Sequence, residues 1–215
     1  MKYIAQSVID AAMSYREYRN LIERLLTVNK TTGDNHQDSM LHYTTMNVVR
    51  MERLDRTTQL SEETIRAIQP VQRPLIWLTL TEAWCGDAAQ VIPVLQKMAD
   101  ENPHIELHLL LRDEHPRLMD AFLTNGGRSI PKLIMLDAHS LQVLGSWGPR
   151  PEAAQQLVLD GKAEMAKMKE EQERKERFQQ LVKALQKWYV KDKTKSVQQE
   201  VVALLKTLKE AEQEA

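Results

Sequence analysis

Cysteine is almost absent from this chain of 215 residues, in which Cys85 is the one thiol. A single cysteine cannot close a disulfide within the chain, so a disulfide framework is excluded. It also cannot supply the thiolates of a cysteine-based zinc cluster, and no spacing of His, Asp and Glu indicates another metal site. We therefore expect neither a metal nor a resident cofactor. A lone thiol fits the reducing cytoplasm.

Charge of one sign and long hydrophobic runs are also lacking. The 29 Lys and Arg residues face 30 Asp and Glu residues, for a net charge of −1. Proteins that coat nucleic acid or an anionic membrane carry a positive excess, so we expect neither partner. The most apolar stretch, Leu75 to Leu80, is far shorter than the roughly 18 residues of a membrane span. The N-terminus lacks the pattern of a signal peptide, so we predict a cytoplasmic protein.

Helical periodicity dominates both ends of the chain. Residues 1–70 are expected to form helices, because their apolar residues recur at helical spacing and Ser61 can cap the last of them. Residues 162–177 are mostly Lys, Glu, Gln and Ala, which predicts a solvated helix. Two apolar stripes then flank a polar turn at 191–195, which predicts an antiparallel helical hairpin. We therefore define an N-terminal helical extension, residues 1–70, and a C-terminal hairpin extension, residues 161–215.

Strand patterns alternate with helices between the two extensions, in the predicted core of residues 71–160. Amphipathic helices follow the first and second of four short β-prone runs. The order β-α-β-α-β-β-α predicts an α/β fold, with the first strand pair parallel and the last pair antiparallel. The predicted strands are residues 75–80, 105–111, 132–136 and 142–147.

Cys85 lies where the first predicted strand turns into a helix. Unpaired backbone N–H groups and the helix dipole favour a thiolate there, and the thiolate is the nucleophilic form. Asp87 has the opposite effect on the thiol pKa, because its charge opposes a second negative charge nearby. Asp87 is also expected to cap the helix, with Gln90 completing a pair like a capping box. The sequence leaves open which effect on the thiol is larger.

Two segments of the chain resemble the thioredoxin superfamily. Trp84-Cys85-Gly86-Asp87-Ala88 stands where thioredoxins carry Trp-Cys-Gly-Pro-Cys before a helix. Ser129-Ile130-Pro131-Lys132-Leu133 stands where they carry Ile-Pro-Thr-Leu, with a cis proline, before a strand. The element order between the segments matches, and the likeness covers roughly residues 70–160. The wider motif set looks like that of bacterial cytosolic thioredoxin-like proteins with helical extensions. The resemblance implies a thioredoxin-like core.

Two departures from thioredoxins limit what this resemblance carries over. Ala88 replaces the second cysteine, so Cys85 cannot close the intramolecular disulfide that releases a reduced substrate. Thr79 stands where thioredoxins carry a buried acid, and threonine cannot take over that proton-carrying role at neutral pH. Glu82 is the nearest substitute in sequence. The fold and the position of the nucleophile carry over, whereas the dithiol cycle does not.

The resemblance also implies which residues surround Cys85. A cis Pro131 would expose the backbone at Ile130 as a docking edge for an extended peptide, and Trp84 would shield one side of the thiol. Arg112 is expected on the same side, because ligands bind outside the carboxyl ends of parallel strands. Beside the catalytic candidate Cys85, the predicted substrate-binding residues are Trp84, Asp87, Ile130, Pro131 and Arg112.

The leading functional hypothesis is a monothiol protein that carries out thiol–disulfide exchange. Cys85 would attack a protein or small-molecule disulfide, and an external thiol would resolve the mixed disulfide. The alternative is a non-catalytic binding or scaffold module, motivated by Ala88, Thr79 and the helical extensions. A peroxide-sensing thiol ranks last, because the charged neighbours of Cys85 in sequence are acidic. The extensions also suggest a homo-oligomer.

Overall fold

The computed structural model describes the backbone of residues 1–213 and the side chains of residues 1–208. Helices occupy both ends of the chain, and the strands lie between them. The elements in chain order are α1 (Gln6–Asp10), α2 (Tyr15–Thr27), α3 (Asp38–Thr57), α4 (Glu62–Ile68), β1 (Leu75–Thr81), α5 (Ala88–Ala99), β2 (Ile105–Leu111), α6 (Pro116–Asp120), β3 (Lys132–Asp137), β4 (Val143–Trp147), α7 (Glu152–Lys167), α8 (Glu171–Asp192) and α9 (Lys195–Gln213). Among these described residues, none of the helices combines the length with the apolar character that a membrane span requires.

The four strands form one sheet in the order β2-β1-β3-β4. β1 runs parallel to β2, with Leu75 opposite Ile105, and antiparallel to β3. β3 and β4 are antiparallel. Every residue of β1 is buried, as expected for an apolar strand at the centre of a sheet with both faces covered. The predicted α/β fold and the predicted pairing of the strands are confirmed.

The N-terminal segment passes along both edges of this sheet, which the sequence patterns did not indicate. Near its start, Tyr3 bridges Gln142 just before β4. After α1, Met13 and Leu109 of β2 exchange backbone hydrogen bonds of 2.8 and 2.7 Å. Edge strands expose unpaired backbone groups that attract other strands. These short bridges therefore satisfy part of each edge from within the chain.

Helices from both extensions pack onto the core, and one cluster of buried apolar residues runs from Ile4 to Leu205. The Ser61 cap is confirmed, because its side chain accepts a hydrogen bond from the Thr64 amide. α3 packs against α5, and α9 packs against β4 and α4. The extensions therefore belong to the same hydrophobic core as the sheet.

The C-terminal helices differ from their prediction in two ways. The single helix expected over residues 162–177 is wrong, because α7 ends at Lys167 and Met168 is extended, with φ −80° and ψ 136°. The break lets α8 fold back on α7, where Leu181 packs on Gly161. No Gly or Pro marks this break in the sequence. The predicted antiparallel hairpin, in which the two apolar stripes would pack against each other, differs as well. α9 packs on β4, α4 and α5 instead.

Gly148 holds the loop after β4 close to the loop before β3. Its φ is +111°, and a Cβ built on it would clash with the backbone oxygen of Pro131. The peptide bonds before Pro131 and Pro149 are both cis. Only glycine allows this approach without displacing backbone, because an L side chain rarely adopts such a φ.

Replacement of Gly148 by alanine is expected to destabilise the protein strongly. The clash with a backbone oxygen and the unfavourable φ together cost about 3 kcal/mol or more. Gly126→Ala is the matched control, because Gly126 also has a positive φ, +74°, but has nothing within 4 Å of the added Cβ. The control loses only about 1 kcal/mol. Urea unfolding measures both variants, and equal losses would contradict the close approach.

Candidate functional site

Cys85 lies in the turn between β1 and α5, as predicted. Its amide donates to the Glu82 carbonyl at 3.1 Å, and its own carbonyl accepts from the Ala89 amide at 3.2 Å. The thiol donates to the carbonyl of Ile130, with 3.3 Å between sulfur and oxygen. Ile130 precedes the cis bond to Pro131. The structure thus brings together Cys85, Ile130 and Pro131, which the sequence separates by more than forty positions.

The Cys85 thiol is held in its protonated form. Only 9% of the residue is exposed, and burial raises the pKa of the thiol to about 12, with the Asp87 charge acting in the same direction. Backbone hydrogen bonds from Ala88 and Asp87 lower that pKa, as does the charge of Arg150. Burial and Asp87 are therefore the larger effects, which answers the question that the sequence left open.

Asp87 is part of a buried polar cluster. Its two carboxylate oxygens accept 2.7 Å hydrogen bonds from the Arg150 guanidinium and the Tyr189 hydroxyl. Arg150 also donates to the side chain of Gln155 at 2.7 Å. The predicted helix cap is wrong, because the Asp87 side chain makes no capping hydrogen bond. Leaving the buried Arg150 guanidinium without a carboxylate would be strongly destabilising. The N–H groups at the start of α5 can be satisfied in other ways, so Asp87 pairs with Arg150 and does not cap the helix.

Helices from both extensions cover the Cys85 turn. Asn47 of α3 donates to the Ala83 carbonyl at 2.8 Å. Gln90, the expected partner in a capping pair with Asp87, instead donates to Gln186 of α8 at 2.7 Å. A Cβ built on Gly86 would lie 3.2 Å from the Gln186 side-chain nitrogen. The turn is thus pressed closely against α8, and its thiol is not open to solvent.

Trp84 and Arg112 form the more accessible part of the site. The Arg112 guanidinium lies over the Trp84 ring, 4.9 Å from its centroid. It also donates to Asp113 at 2.8 Å and to the Arg128 carbonyl at 3.3 Å. Trp84 and Arg112 are half-buried, whereas Asp113 and Arg128 are exposed. This group lies beyond the carboxyl ends of the parallel strands β1 and β2, where open α/β sheets bind ligands.

The acid that thioredoxins carry on this strand has no direct replacement. Thr79 is fully buried, and its hydroxyl has no partner among the described residues. Glu82 is fully buried too, and burial raises the pKa of its carboxyl. One Glu82 oxygen accepts from the Asp113 amide at 2.9 Å. Glu82 therefore supports the turn that carries Arg112.

Sequence reasoning missed the contribution of α8. Tyr189 belongs to one of the two apolar stripes predicted for the C-terminal helices. In the structure Tyr189 is buried against Asp87, and Trp188 is half-buried. Only the helical spacing of the stripe indicated that Tyr189 faces inward. In the part of the chain that the structure describes, no three His, Cys, Asp or Glu side chains are grouped to hold a metal ion.

Comparisons with known proteins bear on the fold. A family model described as Thioredoxin matches residues 33–171. A crystal structure of a protein of unknown function from Pseudomonas aeruginosa has a TM-score of 0.57 and 18% identity, over 95% of this chain and 98% of that one. A crystal structure of an HIV epitope scaffold has a TM-score of 0.51 and 16% identity, over 91% and 99% of the two chains. No curated protein matches the sequence.

Removal of the Asp87 charge is expected to have two effects. Asp87→Asn leaves the buried Arg150 without its carboxylate, which lowers the free energy of unfolding by about 3 kcal/mol. It also lowers the pKa of Cys85, because the Asp87 charge raises that pKa. Denaturant unfolding measures the first effect, and the alkylation rate of Cys85 at fixed pH measures the second.

Asp120→Asn is the matched control for this variant. Asp120 pairs with Arg128 through two 2.7 Å hydrogen bonds, but that pair lies on the surface. We expect little change in stability or in Cys85 reactivity, because exposed ion pairs contribute little. Equal behaviour of the two variants would show that the Asp87 cluster is not the buried support described above.

Proposed function

Because the chain belongs to the thioredoxin family through its match over residues 33–171, we propose that it works as a binding module built on the thioredoxin fold. The observation that carries this proposal is the state of Cys85. Its thiol is buried and donates to the Ile130 carbonyl, and its pKa is raised to about 12. A nucleophilic thiol needs the opposite environment. Ala88 in place of a second cysteine supports the same proposal.

The binding surface that we propose is the half-buried pair Trp84 and Arg112. A tryptophan with a guanidinium above it presents apolar area and hydrogen-bond donors together, a combination enriched at energetically important points of protein interfaces. Glu82 stabilises the adjoining turn through the Asp113 amide, so the pair rests on a defined support. We propose a protein partner at this surface, in the reducing cytoplasm. Association of copies of the chain through the helical extensions stays a prediction.

Monothiol exchange is the second candidate, and the position of Cys85 favours it. The sulfur lies at the start of α5 beside the residue that precedes the cis proline, with backbone hydrogen bonds and Arg150 lowering its pKa. In such a reaction the Cys85 thiolate attacks one sulfur of a disulfide, forms a mixed disulfide and releases the other sulfur as a thiolate. An external thiolate then attacks the mixed disulfide and releases Cys85. Either step requires the buried thiol to become accessible.

Alkylation of Cys85 distinguishes the two candidates, and the single thiol makes the readout unambiguous. A pKa of about 12 against about 8.5 for a free cysteine predicts roughly 3000-fold less thiolate at neutral pH. We therefore expect native protein to react with iodoacetamide about that much more slowly than the chain in denaturant, with the rate rising steadily up to alkaline pH. Cys85→Ala supplies the background.

A rate near that of the denatured chain, or a mixed disulfide formed at pH 7 with glutathione disulfide, would favour monothiol exchange instead. Binding is tested separately by cross-linking and affinity capture. Partners of the module should be retained by Cys85→Ala and lost by the double variant Trp84→Ala, Arg112→Ala. If the wild type, Cys85→Ala and the double variant all capture the same set of partners, the proposed surface is wrong.

A further inference from the structure

A cavity separate from the Cys85 turn lies between the end of α3 and the turn that joins α8 to α9. Its volume is about 470 Å³, within the range of pockets that hold small organic molecules. One wall is the segment from Arg53 to Ser61, and the other runs from Tyr189 to Gln198. Neither wall takes part in the surface proposed for Trp84 and Arg112.

The charges around this cavity have one sign. Arg53, Lys193 and Lys195 line it, and no Asp or Glu is among the described residues that do so. Within the described chain, Arg53 donates to the neutral Gln90 at 3.3 Å, and no ion pair neutralises any of the three cations. Asp192, the acid nearest to the two lysines along the chain, accepts instead from the Ser196 amide and hydroxyl, and Glu52 and Asp55 beside Arg53 pair with Arg19. Three uncompensated cations at one cavity attract an anion.

The rest of the lining adds apolar surface and a free hydroxyl. Leu54, Leu60 and Val190 contribute side chains to the walls. Thr58 is 5% exposed, and its buried hydroxyl has no partner among the described residues. A hydroxyl can rotate to donate, and a buried donor without a partner is unfavourable. An inorganic ion alone would leave the apolar part of the cavity unfilled.

The turn that presents the two lysines has an unusual backbone. Lys193 and Thr194 both have positive φ, 53° and 66°. The left-handed region is unfavourable for a β-branched residue such as threonine. Gln198 holds the turn by donating from its side chain to the Thr194 hydroxyl at 2.9 Å and to the Gln59 carbonyl at 3.1 Å. The two walls are thereby tied together at the position where the lysines enter the lining.

We propose that this cavity binds a small phosphorylated organic molecule. Arg53, Lys193 and Lys195 would contact its phosphate oxygens, because ammonium and guanidinium groups form short, charge-assisted hydrogen bonds to such oxygens. The apolar walls would hold the organic portion. No covalent step is involved, and the site is independent of the state of Cys85.

Isothermal titration calorimetry at constant ionic strength tests the proposal, with inorganic pyrophosphate and adenosine diphosphate as probes. Both are expected to bind saturably at one site, and adenosine diphosphate more tightly because it also covers apolar wall. Lys193→Gln with Lys195→Gln should weaken both affinities by about tenfold, the effect of two exposed charge contacts to phosphate. The matched control is Lys183→Gln with Lys187→Gln, which removes two exposed lysines of α8 that do not line the cavity.

The control pair should bind within about twofold of the wild type, and melting temperatures in the absence of probe show that both pairs are folded. Absence of saturable binding of either probe would overturn the proposal. So would an equal loss of affinity in the two lysine pairs, because nonspecific attraction depends only on total charge. If pyrophosphate binds and adenosine diphosphate binds no better, the assignment to an organic molecule is wrong.

Discussion

Asp87 lies where the sheet, the loop after β4 and α8 meet, and its carboxylate accepts hydrogen bonds from Arg150 and Tyr189. A carboxylate in this environment needs those partners, because a buried charge without compensation is strongly destabilising. Each partner comes from a different part of the fold. Arg150 follows the cis Pro149, and Tyr189 lies 102 residues beyond Asp87 on α8. The carboxylate thus fixes the α8 helix over the turn that carries Cys85.

The same contact determines the chemistry of the thiol. A helix N-terminus stabilises a nearby negative charge by only about 0.3–1 kcal/mol, whereas full burial can shift a pKa by several units. At Cys85 burial is the largest cause, and Asp87 adds to it. α8 packs on the same turn at Gly86 and donates to Asp87 through Tyr189, so it helps to keep that turn buried. Cys85 thus occupies the position of the thioredoxin nucleophile, but its surroundings favour the thiol over the thiolate.

The sequence predicted those features that depend on neighbouring residues. Strand positions, the parallel and antiparallel pairings, the Ser61 cap and the place of Cys85 all follow from local periodicity, turn chemistry and motif. The helix cap predicted for Asp87 was wrong because its partners are distant in sequence. The carboxylate accepts from Arg150 and Tyr189 instead of from the nearby Gln90 amide. Nothing within ten residues of Asp87 indicates either partner. The break at Met168 was missed likewise, since it serves the packing of α8 on α7 and has no Gly or Pro.

The long helical extensions acquire a physical role in this arrangement. Thioredoxin dithiol chemistry needs an accessible thiolate and a second cysteine, and this chain has Ala88 where the second would stand. Without a second cysteine the chain cannot form the intramolecular disulfide that releases a substrate. Burial of Cys85 therefore does not remove a dithiol reaction that the chain could otherwise carry out. Covering the turn with α3 and α8 adds apolar burial, which is the main source of folding stability. It also leaves Tyr189 between the Asp87 cluster and the cationic cavity, because this one side chain contacts the first and lines the second. α8 therefore both packs on the Cys85 turn and forms one wall of the cavity.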